Sequence, residues 1–468
     1  YGSELLGNPM FDNFALTDSS EWKQVEGYEH IYKLTRHLEA SGDNINSVQV
    51  AVDGHNIADI NYATFNNGTY PVVSNCNINN KSNALLRLSE HVNEAWCSCY
   101  EGGYSWEEGD YDIYISLGDN PSEHKIEVTN HIVRCLIEFG DYCDIRHINT
   151  RGSAGKDGWN IAGNTYMEDC HIYDHCHHGF LQGPRGGIMR MYNCSTEAPR
   201  GAIGYQFHIF ANSQKNINNK TNMFIDCKSI SKGLNGSCIS GHGNASMSSG
   251  LDVYVINCEA KGVSNFIGDT TLMKHLYVKG CRVDEVGAIG TCASDATIFS
   301  DIKGTLILRN HDAIFTYPRN LRASNLVLRC KSLNGISGIF YNITNTSFSD
   351  ISSCSLRDCK FSIDKVARDS INWAQTYNIF RGYKGANFTN CLFVVTVVGA
   401  QSNEESLYWP IKGDYGGHNF DHCLFFGTKD NSTSPVKTNK FLKIADIPKI
   451  EYLFNRLYTD NGILKLFV

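Results

Sequence analysis

The chain lacks the features that define several large classes of protein. Its 468 residues contain no basic tract, and 41 Lys and Arg against 49 Asp and Glu give a net charge of −8. Because nucleic-acid binding needs clustered cations to neutralise phosphates, we expect no nucleic-acid partner. The longest apolar run, residues 391–400, is about half of the roughly 20 residues that a membrane-spanning helix needs. We therefore expect no membrane partner either.

The 18 cysteines are not arranged as zinc ligands usually are. No Cys-X-X-Cys pair occurs, and Cys97 and Cys99 are too close for an ordinary zinc knuckle. A disulfide framework is the alternative interpretation. The apolar strands that flank most of the cysteines favour burial as thiols over pairing.

The cysteines mark an internal repeat in which an apolar strand is followed by a short corner and then Cys. The copies are Asp169-Cys170, Asn193-Cys194, Asp226-Cys227, Asn257-Cys258, Gly280-Cys281, Arg329-Cys330, Asp358-Cys359, Asn390-Cys391 and His422-Cys423. The wide gap before Cys330 predicts one coil without cysteine, near residues 306–308. A period of roughly 20–35 residues with short β-type runs indicates a β-solenoid. Stacked coils would turn the cysteines into an inward ladder.

This pattern predicts an all-β protein in four segments. Residues 1–44 form an entry segment with a candidate helix at 28–39. Residues 45–130 form a strand-rich region in which the sequence predicts short strands. Residues 131–427 form the solenoid. Residues 428–468 form a linker and a cap or oligomer contact, because an open solenoid end exposes strand edges.

The repeat resembles the right-handed parallel β-helix, or pectate-lyase-like, superfamily. The segments 52–54, 103–106 and 113–117 resemble the strand-rich region that precedes such helices in phage tailspike depolymerases and secreted polysaccharide-degrading enzymes. The resemblance implies a right-handed parallel β-helix, a polysaccharide substrate and no cofactor. It also implies a place on the virion or outside the cell, and a homotrimer if the protein is a tailspike.

Glycines align one strand of successive coils and thereby predict a site. The aligned segments are 158–163, 179–183, 236–241, 265–268 and 288–290. Polar residues beside these glycines would form a groove suited to an extended polymer. The predicted catalytic residues are Asp157, Asp174, His178, His242 and Asp269. The predicted substrate-binding residues are Lys156, His175, His177, Arg185, Arg200, Tyr205 and His208.

Histidine is the commonest titratable type in this groove, with four of the 17 histidines inside residues 171–178. Histidine titrates near neutral pH and can act as a general acid or base. A zinc site at Asp174, His175 and His177 is the alternative, but no further ligand is identifiable, so we predict no metal. Gly241-His242-Gly243 resembles a motif of polygalacturonase-type glycosidases, although the Asp pair and the Arg-Ile-Lys of that family are missing.

Three functions remain open from the sequence. Hydrolysis needs two carboxyl groups across the scissile bond, and it is the reaction we expect for this polysaccharide depolymerase. β-Elimination from a uronic acid needs a cation and a base instead. The candidate cations are Lys156, Arg185, Arg200 and Lys274, and the candidate bases are His177, His208, His242 and Tyr205. A glycan-binding spike without activity is the third possibility.

Overall fold

The computed structural model describes most of the chain up to residue 366 and short stretches beyond it. The described residues are 10–40, 48–60, 78, 80–98, 101, 108–132, 135–153, 157–175, 177–183, 187–198, 205–211, 220–231, 236–243, 250–292, 295–308, 313–316, 318, 320–332, 338–341, 353–366, 386–398, 419–427 and 440–442. They fall into two compact units, residues 1–211 with 228–240 and residues 212–227 with 241–468. The predicted C-terminal cap lies outside the described residues apart from one strand, Lys440–Leu442.

The N-terminal part of the first unit is built from two small sheets around a shared apolar core. A four-stranded sheet has the order Phe14–Leu16, Ile126–Thr129, Val50–Val52, His55–Asn56. A second sheet has the order His131–Ile132, Ile31–Ala40, Gly109–Ser116, Glu94–Cys97, Ala58–Asp59, with Lys23–Gln24 paired to its longest strand. One α-helix, Lys81–Glu90, and two 3-10 turns, Ser19–Glu21 and Pro121–Glu123, complete the described elements of this part.

The helix predicted at residues 28–39 is wrong, because this segment contains the strand Ile31–Ala40. Ile31, Leu34 and Leu38 are buried, and their spacing imitates one face of a helix. In the structure the strand pairs antiparallel with Gly109–Ser116 along eight residue pairs. Arg36 lies between two buried leucines and masks the alternation of a strand. Burial there lowers the pKa of its guanidinium.

A real helix, Lys81–Glu90, lies where the sequence analysis expected only strands. Its Asn80 cap accepts a hydrogen bond from the backbone N–H of Asn83 at 2.9 Å. Such a cap satisfies one of the donors that a helix start leaves without an intrahelical partner. Ala84, Leu85 and Leu88 form the buried face of this helix.

The remaining described residues form a parallel β-helix, as predicted. Most coils contribute one described strand to each of three parallel sheets, which we call sheets 1, 2 and 3 in the order in which a coil visits them. The last coils have described strands in sheets 2 and 3 only. In the first unit, sheet 1 contains Cys135–Phe139, Asp157–Ile161, His178–Gln182 and Tyr205–Ala211. Sheet 2 contains Cys143–Arg146, Thr165–Glu168 and Met189–Tyr192. Sheet 3 contains Asn149–Arg151, His171–Tyr173, Ser195–Ala198 and Lys228–Ser231. The strand Met10–Asp12 pairs in parallel with the first strand of sheet 3.

The second unit repeats the same arrangement. Its sheet 1 contains Asn265–Ile267, Ala288–Gly290, Ala313–Thr316 and Gly338–Tyr341. Its sheet 2 contains Thr221–Ile225, Leu251–Ile256, Met273–Lys279, Ala296–Ser300, Leu321–Ser324, Ser355–Arg357, Asn387–Thr389 and Asn419–Asp421. Its sheet 3 contains Glu259–Lys261, Arg282–Val286, Lys303–Leu308, Val327–Ser332, Lys360–Val366, Leu392–Val398, Leu424–Gly427 and Lys440–Leu442. The boundary between the units falls within the sheet 1 strand Ser237–Gly243.

The corner between sheets 2 and 3 explains the repeated Asn or Asp before Cys. One residue at each corner has a positive φ of 51–70°, namely His147, Asp169, Asn193, Asp226, Asn257, Gly280, Asp301, Asn325, Asp358, Asn390 and His422. Asn, Asp and Gly tolerate this left-handed conformation better than other residues. The next residue is a buried Cys in eight of these coils, buried Ile302 or Leu326 in two, and half-buried Ile148 in the first.

The cysteine ladder therefore exists, with one correction. Cys330 lies inside the strand Val327–Ser332, opposite Leu306 and Ile363, while Leu326 holds the corner position of that coil. The interval before Cys359 thus contains two coils without a corner cysteine, not one. No two of the described cysteines form a disulfide. Several thiols donate to a carbonyl of the preceding coil, as Cys258 does to Phe224 at 3.3 Å.

Candidate active site

The first residues of three neighbouring sheet 1 strands form a column in the first unit. Asp157 lies opposite His178 in the parallel register, and the backbone N–H of Tyr205 donates to Nδ1 of His178 at 2.9 Å. The rings of His178 and Tyr205 stack with their centroids 5.5 Å apart. We call Asp157, His177, His178, Tyr205 and His208 the histidine column.

The glycine at the second position of two of these strands indicates which face of sheet 1 carries the histidine column. A Cβ at Gly158 would lie 3.1 Å from the side chain of buried Ile172, and one at Gly179 would lie 2.7 Å from the side chain of Thr196. Both glycines therefore turn their missing side chains to the interior. Neighbouring strand residues point to opposite faces, so Asp157 and His178 project from the outer face.

Although these side chains project outward, they are largely shielded from solvent. Asp157 is 0% exposed, His178 7% and His177 9%. His208 lies beside them, with its ring centroid 4.5 Å from that of His178 and 4.6 Å from that of Tyr205. A polar cluster with this degree of burial departs from the usual partition of titratable groups to the surface.

Potential ligand atoms of Asp157, His177 and His178 all lie within 4.8 Å of one another. Three such donors are enough to hold a metal ion. However, Nδ1 of His178 accepts the hydrogen bond of the Tyr205 amide, so Nε2 carries the ring proton when the imidazole is neutral. A nitrogen that carries a proton does not ligate a metal. His178 therefore fits a hydrogen-bond donor to a substrate better than a metal ligand.

Two residues predicted for the groove lie elsewhere. His175 faces the interior, where its Nε2 donates to Oε1 of Gln206 at 2.7 Å, and Thr196 donates to the same oxygen at 2.8 Å. Burial lowers the pKa of His175 to about 4. Asp174 forms an ion pair with Nε of Arg151 at 3.0 Å. The alternative zinc site at Asp174, His175 and His177 is thus not assembled.

The other predicted site residues are placed as follows. Asp269 lies in the second unit. Its backbone carbonyl accepts a hydrogen bond from the backbone N–H of Gly241, and its side-chain carboxylate accepts one from the backbone N–H of Thr271. His242 lies in the strand Ser237–Gly243, but its side chain lies outside the described part. Lys156, Arg185 and Arg200 also lie outside the described residues.

The interior support of the histidine column was not predicted from the sequence. Gln206 and Thr196 are fully buried polar residues, and they hold His175 directly behind the strand that begins at Tyr205. The available signal was the glutamine at position 206, which directly precedes the apolar Phe207.

Comparisons with known proteins give a single distant structural likeness. No protein-family model matches the chain, and no curated protein does. One solved structure, described as "The complex structure of XylC with xylose", aligns with a TM-score of 0.37 and 11% sequence identity, over 93% of this chain and 75% of that one. A likeness at this level carries no functional information. Among the described residues, no helix is long and apolar enough to cross a membrane.

Proposed function

We propose that the protein cleaves the glycosidic bonds of an extended, acidic surface or capsular polysaccharide at the histidine column. The observation that carries this proposal is the register of Asp157 with His178 on neighbouring coils, with His177 within 4.8 Å. A carboxylate beside imidazoles supplies both partners that acid–base cleavage needs. Stacked strands place such groups at regular intervals, which suits a polymer lying across the coils.

Hydrolysis is the reaction we propose first. Asp157 would transfer a proton to or from the glycosidic bond, with His178 holding the sugar through its Nε2–H. Hydrolysis usually requires a second carboxyl group across the scissile bond. Asp174 is a poor candidate for it, because the ion pair with Arg151 engages its carboxylate.

β-Elimination is the second candidate, and the composition of the cluster favours it. Within the histidine column three imidazoles accompany one carboxylate. His177 would remove the α-proton of a uronic acid, and a cation from Lys156, Arg185 or Arg200 would neutralise the substrate carboxylate. Because His178 already accepts a hydrogen bond at Nδ1, it would donate to the substrate and not act as the base.

The test is to incubate the protein with a panel of acidic capsular and pectin-like polysaccharides. New reducing ends without absorbance of an unsaturated sugar would establish hydrolysis, and both signals together would establish elimination. The control is the Asp157→Asn, His178→Ala double variant, which should lack both signals. If wild type produces neither signal on any polymer that it binds, the protein is a glycan-binding spike and the proposal fails.

By resemblance to tailspikes, we propose that the protein acts as a homotrimer on a virion or outside the cell. Light scattering after gel filtration tests the oligomer directly. A monomeric mass for the full chain at micromolar concentration would contradict it.

A further inference from the structure

A second group of polar side chains forms a hydrogen-bonded chain on sheet 3 of the first unit. Oγ of Ser195 lies 2.7 Å from Nδ1 of His171, and Nε2 of His171 lies 3.1 Å from Oδ1 of Asp169. His171 and Ser195 are opposite each other in neighbouring parallel strands. Their neighbours Ile172 and Thr196 are fully buried, so His171 and Ser195 point outward. Both are partly exposed.

The direction of each hydrogen bond in this chain follows from its chemistry. Asp169 also accepts from Nδ2 of Asn193 and interacts with Nδ1 of His147, each at 2.9 Å. The hydrogen bond with His147 lowers the pKa of Asp169, so its carboxylate is ionised at neutral pH and can only accept. Nε2 of His171 must then donate to it.

The direction of the hydrogen bond between Ser195 and His171 follows from the same reasoning. A neutral imidazole that carries its proton on Nε2 presents Nδ1 as an acceptor. The hydroxyl of Ser195 is the group at hydrogen-bond distance from Nδ1, so its O–H donates. This is the arrangement in which an imidazole withdraws the proton of a serine as the oxygen attacks.

We propose that Ser195 is the nucleophile of an esterase site, with His171 as its general base and Asp169 as the residue that orients the imidazole. The substrate class is a carboxylic ester, which can reach the serine because Ser195 lies on a sheet face at a partly exposed position. This activity is independent of glycosidic-bond cleavage, which we assign to sheet 1.

A cation is positioned to stabilise the charge that develops in such a reaction. Lys228 lies opposite Ser195 in the next coil, and paired positions on neighbouring strands are about 4.8 Å apart. The side chain of Lys228 is exposed and long enough to extend over Ser195. Its ammonium would lie near the carbonyl oxygen of a bound ester, where it would stabilise the oxyanion.

The reaction balances with water as the only co-reactant. Oγ of Ser195 bonds to the carbonyl carbon while its proton moves to Nδ1 of His171. The bond from carbon to the alcohol oxygen then breaks, and the alcohol leaves with the proton from His171. Water attacks the acyl-serine ester with His171 again as the base, which releases the carboxylic acid and restores the serine hydroxyl.

The direct test is covalent labelling of the wild-type protein with a fluorophosphonate probe, followed by peptide mapping by mass spectrometry. The internal control is Ser300, a partly exposed serine in sheet 2 that lies opposite Lys279 and Ser324. We expect Ser195 to react at least about 100-fold faster than Ser300, which is the lower range for a serine with a positioned base. Equal labelling of the two serines would overturn the proposal without any variant being made.

Hydrolysis of p-nitrophenyl acetate gives the second readout. We expect Ser195→Ala to abolish the protein-dependent rate, His171→Ala and Asp169→Asn to lower it about 100-fold, and Ser300→Ala to leave it unchanged. A rate that is unchanged in Ser195→Ala would overturn the proposal. Asp157→Asn should retain the esterase activity, so that failure of the polysaccharide proposal and failure of this one are distinguishable.

Discussion

The two units place different types of residue at the first position of their sheet 1 strands. In the first unit, the strands begin with Asp157, His178 and Tyr205, whereas in the second they begin with Asn265, Ala288 and Ala313. Pairing is parallel in both, with Asp157 opposite His178 and Asn265 opposite Ala288. The backbone therefore supplies a regular spacing along the whole repeat, and the side chains of a few coils supply the chemistry.

The interiors behind these strands share packed aromatic rings, which in the first unit include Trp159, Phe180 and Phe207, but the first unit adds a polar group. In the first unit, His175, Gln206 and Thr196 form a buried polar group. In the second, aromatic rings stack through the core, with Phe315 5.7 Å from Phe299 and 6.1 Å from Phe340. The hydrogen bonds that Gln206 accepts from His175 and Thr196 restrict the geometry of this polar group, whereas packed rings mainly provide stability. The buried polar group of the first unit lies behind the strands that carry the histidine column, where catalysis would need exactly positioned side chains.

The largest expected effect is the loss of polysaccharide cleavage on changing the histidine column. Asp157→Asn and His178→Ala should each lower kcat by about 1,000-fold, because each removes a group that transfers or directs a proton. Reducing ends or unsaturated product released from the active polymer measure this loss. The matched control is Asn265→Ala, at the same strand position in the second unit, which should retain wild-type activity. An equal loss of kcat in Asn265→Ala and in the histidine-column variants would contradict the assignment of the site.

The aromatic interior of the second unit should give the largest change in stability. Phe315→Ala removes a fully buried ring and should lower the free energy of unfolding by about 3–5 kcal/mol. Urea unfolding followed by circular dichroism measures this change. Tyr142→Ala is the control, because Tyr142 is exposed and should shift stability by no more than about 0.5 kcal/mol. Cleavage activity per folded molecule should be unaffected by either change.

The polar interior of the first unit should instead make stability depend on pH. Burial lowers the pKa of His175 to about 4, below the value near 6.5 expected for an unfolded chain. Between these two values the unfolded state binds a proton that the folded state does not, so stability falls as the pH is lowered from about 6.5 to about 4. The full loss is on the order of 3 kcal/mol.

The variant His175→Gln isolates this contribution. It keeps a hydrogen-bond donor near Gln206 but cannot titrate, so unfolding measured from pH 7 to pH 4 should show a shallower decline than wild type. His55→Gln, at an exposed position, should leave the wild-type decline unchanged. Parallel pH profiles of wild type and His175→Gln would show that His175 does not titrate as we expect.

Much of the fold could be predicted because the repeat has a local cause. Asp169 before Cys170 and Asn257 before Cys258 occupy a left-handed corner, a constraint that sequence displays directly. Cys330 misled the prediction because a buried cysteine can equally lie within a strand. The helix predicted at residues 28–39 failed because Arg36 hides the alternation, and only tertiary pairing with Gly109–Ser116 decides that segment.

The site was less predictable, for a geometric reason. The glycines at 158 and 179 aligned the coils well enough to place Asp157 beside His178. They could not show which way His175 points, because neighbouring residues face opposite sides of a strand and the direction changes again at each corner. A histidine in a dense polar segment therefore looked like a groove residue, although it lies in the interior.

The smallest expected effect concerns the residues that follow the left-handed corners, which both units share. Cys258→Ala should destabilise the protein by about 1 kcal/mol, because it removes one sulfur atom and its hydrogen bond to the carbonyl of Phe224. Leu326→Ala, at the same corner position in another coil, should cost about 2–5 kcal/mol because it leaves a larger cavity. Thermal unfolding with and without a reducing agent completes the test. Since the described cysteines are thiols and form no disulfides with one another, the reductant should not lower the melting temperature. A marked fall on reduction would mean that the cysteines stabilise this solenoid by covalent bonds and not by packing.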